Sequence, residues 1–396
     1  MKHHFKQIYL SLILSFFSIN LLISQPSIIQ SNNEFAFSLF NNISNQEDNN
    51  LLISPISLSM GLTMAYEGAK DNTNLQMQQV LKFHQKQDVI HSEYKKLISD
   101  YDNNKFMNIS NFVIKQEKYP FKEKYFQTLK DFKAEIESGN FIDDQNRENI
   151  RLNVNKKVSE KTNNKIYNLL GKNDIDQLTR LLLVNTIYFN AEWETQFDVK
   201  QTKKQPFYGL NERIFLSEFM SVTNSFQYFE NEKIQLVEIP YKNSDFSFIA
   251  IQTKKIDDFQ NFCNEIKFND LDKYLKETSK KKLNLGLPKF EISNQYKLKS
   301  TLIELGMADA FSEAKANFKN ISSKKYLLID DVIHQTYINV NESGTEASAA
   351  TAVIIREKSM PQNIIFNKPF IFVIKDNKNG NIIFIGKFQV AEIQEY

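Results

Sequence analysis

The chain has 396 residues, 41% of them hydrophobic, and a formal net charge of +2; it carries enough apolar material for a large core and too little charge imbalance to suit a nucleic-acid partner. A single cysteine, Cys263, excludes an internal disulfide, and the lack of any Cys/His cluster argues against a structural metal site. Ten Gly and eight Pro are scattered without a linker or repeat, so residues 25–396 read as a single domain.

Lys2 and Lys6 precede an apolar run over residues 8–23, and Ser24-Gln25-Pro26 follows as a cleavage point, which is the layout of a signal peptide covering residues 1–24. A membrane anchor is the alternative, but the run is short of the ~20 strongly apolar residues a span needs, and no second such run exists. The product is expected to be secreted, extracellular and off the membrane. Leu22 is larger than the residue that favours cleavage, so the cut can move by a few positions. Losing Lys2 and Lys6 with no acid takes the net charge from +2 to 0. The basic runs Lys95-Lys96 and Lys280-Lys281-Lys282 read as solvated surface, and no polyanion cofactor is expected. In a secreted chain, Asn42, Asn108, Asn320 and Asn341 head candidate glycosylation triplets.

Catalytic constellations are missing. His3 and His4 lie in the signal segment, which leaves His84, His91 and His334; none forms an H-E-x-x-H pair, and no nucleophile elbow, dinucleotide turn or Walker loop occurs. The stretch GNIIFIGK, residues 380–387, alternates into a strand and is no phosphate cradle. The carboxylate pairs Asp143-Asp144 and Asp330-Asp331 have nothing convergent beside them. No enzyme activity, cofactor or metal is expected.

Residues 332–340, VIHQTYINV, alternate as a strand and carry His334, which as a lone histidine on an apolar strand reads first as a hydrogen-bonded core residue. The next stretch, residues 341–361, is the most informative. Every second residue from Thr345, namely Ala347, Ala349, Thr351, Val353 and Ile355, is small or apolar and suits a buried sheet face. The interleaved set, from Glu346 to Arg356, holds both charges and is expected to face solvent. Glu357, Lys358, Ser359 and Pro361 then suit an exposed loop. The period alone also fits an ordinary strand with an Ala-rich start.

The string V-N-E-x-G-T-E-A-x-A-A-T-A, residues 340–352, resembles the hinge of the serpins. Other blocks resemble that family in its own order: residues 50–81 with a Ser-Pro-x-Ser helix start, 183–197 with a strand ending at Trp193, 285–293, 305–322, and the C-terminal signature over 366–388. Two departures occur, Asn190-Ala191 where Lys-Gly is usual and Gln335 where Lys is usual after the histidine. The resemblance implies a mixed α/β (α+β) fold with three β-sheets and about nine helices, and an exposed reactive loop at about residues 342–365.

It also implies a function. The chain would be a monomeric suicide-substrate inhibitor of trypsin-like serine proteases, cleaved in its loop, trapping the acyl-enzyme and inserting the loop into the central sheet. The alternative is a non-inhibitory relative serving as carrier, chaperone or storage protein. The hinge would comprise Glu342, Gly344, Thr345, Glu346, Ala347, Ala349, Ala350 and Thr351, with Thr345 the first inward residue. A sheet-opening cluster would gather Ser54, Ser57, Asn185, His334 and Trp193. The spacing usual in that family, counted from Glu342, implies a reactive bond at Lys358-Ser359, with Arg356 the runner-up. A glycan on Asn341 would crowd the sheet the loop must enter, so Asn42, Asn108 and Asn320 are the expected glycan sites.

Overall fold

The computed structural model describes residues 26–102, 104–324, 327–346 and 361–390. Among the described residues there are nine α-helices and three sheets. The first helix, α1 (Ile28–Gln46), is capped by the Ser27 hydroxyl, which accepts from the Gln30 amide. The second, α2 (Pro55–Tyr66), begins with Pro at its first turn and buries every residue except Gly61. A helix apolar all round belongs inside a protein, and α2 is the element on which the sheets converge. The block over residues 50–81 is thus a strand, β1 (Leu51–Ile53), followed by α2 and a further helix, Asp71–Val80.

The largest sheet runs β1, β16 (Ile382–Phe388), β15 (Phe370–Asp376), β9 (Phe246–Thr253), β8 (Ile234–Pro240), β7 (Ile214–Glu230), β10 (Ser279–Pro288) and β14 (Gln362–Ile365), with β6 (Lys203–Tyr208) also on β7. Its strands β9, β15 and β16 are buried on both faces, as their near-continuous Ile, Phe and Val runs require. A three-stranded sheet joins β3 (Glu135–Gly139), β2 (Met107–Gln116) and β4 (Leu181–Phe189). A four-stranded one joins β11 (Phe290–Lys297), β12 (Ile333–Val340), β13 (Gly344–Thr345) and β5 (Ala191–Glu192).

One chain connects these two smaller sheets, since β4 runs into β5 through Asn190, whose amide is taken by the Phe106 carbonyl. Below that point β4 and β12 form no ladder with each other. They are the two lips of a slot, and among the described residues only β13 bridges it, at one end. Gly344 pairs with Glu192, and Thr345 pairs with Ala191 on one side and Val340 on the other, all antiparallel. An edge strand left with unpaired N–H and C=O groups is a template for another strand. Here two such edges face one gap.

Candidate functional site

The hinge is built from a turn and a clamp. The Asn341 side-chain oxygen accepts from the Ser343 and Gly344 amides, and the Asn341 amide reaches the Gly344 carbonyl, so the chain reverses tightly after β12. Trp193 holds the outside of this turn: its amide bonds the Ser343 carbonyl, and its indole Nε1 donates to the Asn341 carbonyl at 2.8 Å. Glu342 is buried, and its Oε1 takes the Thr202 hydroxyl at 2.7 Å and Lys289 Nζ at 3.3 Å, while Lys289 also pairs with Glu218. Burial pushes the Glu342 carboxyl up, but the Thr202 hydroxyl, its own backbone and Lys289 outweigh it, and the group sits below the ordinary glutamate value.

Thr345 lies inside the sheet, 1% exposed, with its hydroxyl 2.6 Å from that of Tyr241. Tyr241 stacks on Trp193 with ring centroids 4.7 Å apart. The sequence pattern places Thr345 at the start of a strand left out of a sheet; in the uncleaved chain Thr345 is already in, with Gly344 before it. Gly344 is required for this, because a Cβ there would run into the Ala191 carbonyl and the Glu192 Cα. Glu346, expected to face solvent, instead has its carboxylate enclosed.

The floor of the slot is polar. On the β12 lip, His334 Nε2 accepts from the Ser54 amide at 3.0 Å, the Ser54 hydroxyl donates to the Ile383 carbonyl, and the Thr336 hydroxyl donates to the Leu52 carbonyl. On the β4 lip, Ser57 bonds Asn185, whose amide goes to Asn111, and the Asn111 amide goes to the Phe132 carbonyl. Each lip is therefore tied to the start of α2 and not across the gap. Ser54, Ser57, Asn185 and His334 do come together around that helix start. Trp193 does not join them: it belongs to the hinge clamp, because β5 carries it past Asn190 to the closed end of the slot.

His334 is buried, and desolvation pushes its pKa down from 6.5 to about 3. A group depressed on folding stays neutral in the native state while the unfolded chain takes up its proton, so stability is lost as pH falls below about 6.5, at ~1.4 kcal/mol per pH unit. Urea unfolding should show the wild type losing ~2–3 kcal/mol more than His334→Gln between pH 6.5 and about pH 4.5. Equal losses would mean that His334 takes its proton in the folded state.

Residues Ala347, Ala349, Ala350 and Thr351, and the bond Lys358-Ser359 with Arg356, lie outside the described residues. The chain re-enters at Pro361, and β14 pairs in parallel with β10. Among the glycan triplets, Asn108 is exposed on β2. The Asn42 amide donates to Glu304, and that of Asn320 to the Ala69 carbonyl. The Asn341 side chain is consumed by the hinge turn. Sequence reasoning missed Thr202, Lys289 and Tyr241, the three partners that fix Glu342 and Thr345. They sit at three separate strand ends, just before β6, just after β8 and between β10 and β11, and carry no local pattern that singles them out.

A sequence model of the family described as Serpin (serine protease inhibitor) matches residues 30–390. Serpin B10 of Sorex araneus is 33% identical over 394 residues, covering 91% of this chain and 99% of its own. Serpin B3 of Homo sapiens is 31% identical over 388 residues, with the same coverages of 91% and 99%. An uncharacterized serpin-like protein of Methanosarcina acetivorans is 34% identical, covering 93% of this chain and 88% of its own. Among solved structures, the thermophilic serpin Tengpin in its native state superposes with a TM-score of 0.83 at 29% identity, covering 93% of this chain and 96% of its own. A loop-inserted, cleaved ovalbumin mutant gives a TM-score of 0.84 at 24% identity, with 92% and 100% covered. With the family match running almost end to end over a slotted sheet and a clamped hinge, the chain belongs to the serpin family, whose members are generally protease inhibitors and not enzymes.

Proposed function

We propose that this serpin is a secreted, monomeric inhibitor of trypsin-like serine proteases that acts as a suicide substrate. The observation that carries the reading is the slot: two facing strand edges that, beyond β13, have no partner among the described residues, and a hinge whose first residues already occupy one end in the required antiparallel sense. A protease that attacks the loop supplies the nucleophile and general base and reaches the acyl-enzyme. Release of the loop's far end then lets residues after Thr345 thread between β12 and β4, carrying the acylated protease along. β4 has nine residues and β12 eight, so the slot takes a strand of ~26 Å at 3.3 Å per residue. The segment from Ala347 to Lys358 spans ~40 Å when extended, enough to fill it and leave the protease at the distal end.

Lys358-Ser359 is the proposed reactive bond, since a long cation followed by a small residue suits a protease with an acidic specificity pocket. The test is to mix the protein with trypsin, isolate an SDS-stable complex and identify the C-terminal fragment by mass spectrometry. The fragment should begin at Ser359. A fragment beginning at Glu357 would move the bond to Arg356, and one beginning after Ile355 or Met360 would remove trypsin-like specificity. Cleavage of the loop with no stable complex would favour the carrier, chaperone or storage role.

A further inference from the structure

Glu346 stands at the mouth of the slot, one residue beyond the seated pair. Its amide donates to the Asn339 carbonyl at 2.9 Å, which holds the backbone against β12, and its φ of 61° is left-handed. A non-glycine residue in that region costs ~1–2 kcal/mol, and such strain persists only where the surroundings impose it. Both carboxylate oxygens are buried, and among the described residues neither has a well-formed hydrogen bond; the Tyr188 hydroxyl is the one donor that bears on them. An unpaired buried carboxylate is among the most expensive groups a fold can hold in ionised form.

The charged and titratable groups around it are Tyr188 on β4, Lys165 beyond the helix Asp144–Lys161, Glu291 on β11, and Tyr337 on β12, which holds Lys165 Nζ at 3.3 Å. Lys165 Nζ bonds the Tyr337 hydroxyl and acts on the Glu346 carboxylate through its charge, without closing to an ion pair. Burial pushes the Glu346 carboxyl up, with Tyr188 and Lys165 opposing and Glu291 adding to the rise.

We propose that Glu346 is a pH-operated latch on the hinge: as the neutral acid it lets Gly344 and Thr345 stay seated in the slot, and as the carboxylate it draws them out. The sign follows from linkage. A released Glu346 is in water and titrates as an ordinary glutamate, so the seated form is the one that binds its proton more tightly. Seating is greatest in acid and declines as pH rises through the seated value, by up to tenfold in the seated-to-released ratio for each unit of separation. Release also relieves the left-handed backbone. Above the seated value the loop gains its full reach, and below it the seated residues shorten it. The latch needs only the seated hinge and does not depend on which protease, if any, the loop traps.

The chain carries its own reporter. Trp193 is the only tryptophan, and it stacks on the tyrosine that bonds Thr345. Trp193 emission of the full-length, uncleaved protein should be followed from about pH 5 to pH 8, together with Glu346→Gln and Gly344→Ala; the last cannot seat and marks the released state. The wild type should pass sigmoidally from the Glu346→Gln value in acid to the Gly344→Ala value at the alkaline end, while both variants stay flat. A wild-type profile that coincides with that of Glu346→Gln, flat or sloping, overturns the latch. Should Gly344→Ala not fold, amide exchange at residue 346 replaces it. After correction for the intrinsic rate, protection should fall with rising pH in the wild type and be constant in Glu346→Gln; equal protection of the two at pH 8 overturns the proposal.

Discussion

Nicking the loop with a non-target protease should raise the melting temperature by at least ~10 °C. An inserted strand meets two edges, β12 on one side and β4 on the other, which have eight and nine residues and no ladder between them. Eight inserted residues, each bringing one N–H and one C=O to the edges on either side, form up to ~16 new ladder bonds, each worth ~1 kcal/mol net of the water it replaces. Their sum rivals the ~5–15 kcal/mol that stabilises an average domain. With an unfolding entropy of ~2.1 cal/mol/K per residue, ~10 kcal/mol moves the midpoint of a chain this long by more than ~10 °C. Burial of the inward alanines, Thr351 and Val353 adds to the shift. The measurement is calorimetry of intact and nicked protein at one pH, and an unchanged midpoint would mean that the slot stays empty after cleavage.

Thr345→Arg should turn a trapping reaction into simple hydrolysis. Thr345 is fully enclosed between Ala191 and Val340, and its hydroxyl is the partner of a buried Tyr241 hydroxyl. Arginine there must either bury a guanidinium without a counter-ion, at several kcal/mol, or leave the slot and pull the hinge out with it. The second course is the cheaper one. The variant should then fold as before, because β12 is laddered to β11 along its whole length and the Glu342 clamp with Thr202 and Lys289 does not use residue 345. Insertion must begin with the first inward residue, so each encounter with trypsin should end in a cleaved loop and free active protease. SDS gels should show the trapped complex falling by at least tenfold while the cleaved form accumulates. Undiminished complex would show that insertion follows a register other than the one β13 begins.

The sequence alone determined the family, the order of its elements and the character of the critical stretch. The alternation of VIHQTYINV specifies β12, whose residues do alternate between interior and surface; the Ser-Pro-x-Ser block specifies the start of α2; the C-terminal run of Ile and Phe specifies the doubly buried β15 and β16. Such features repeat with the period of one element and can be read without knowing its neighbours. Which residues meet across the chain was decided only by tertiary structure. Glu342 finds Thr202 and Lys289, Thr345 finds Tyr241, and Trp193 turns to the hinge and away from the helix start, because strands far apart in the sequence are brought into register. The same cause explains Glu346. A period of two assigns it to the face opposite Thr345, but whether that face meets water depends on what lies over it, and here the carboxylate is enclosed, with Tyr188 of β4 beside it. Periodicity gives the direction of a side chain; the packing of distant elements sets the medium it enters.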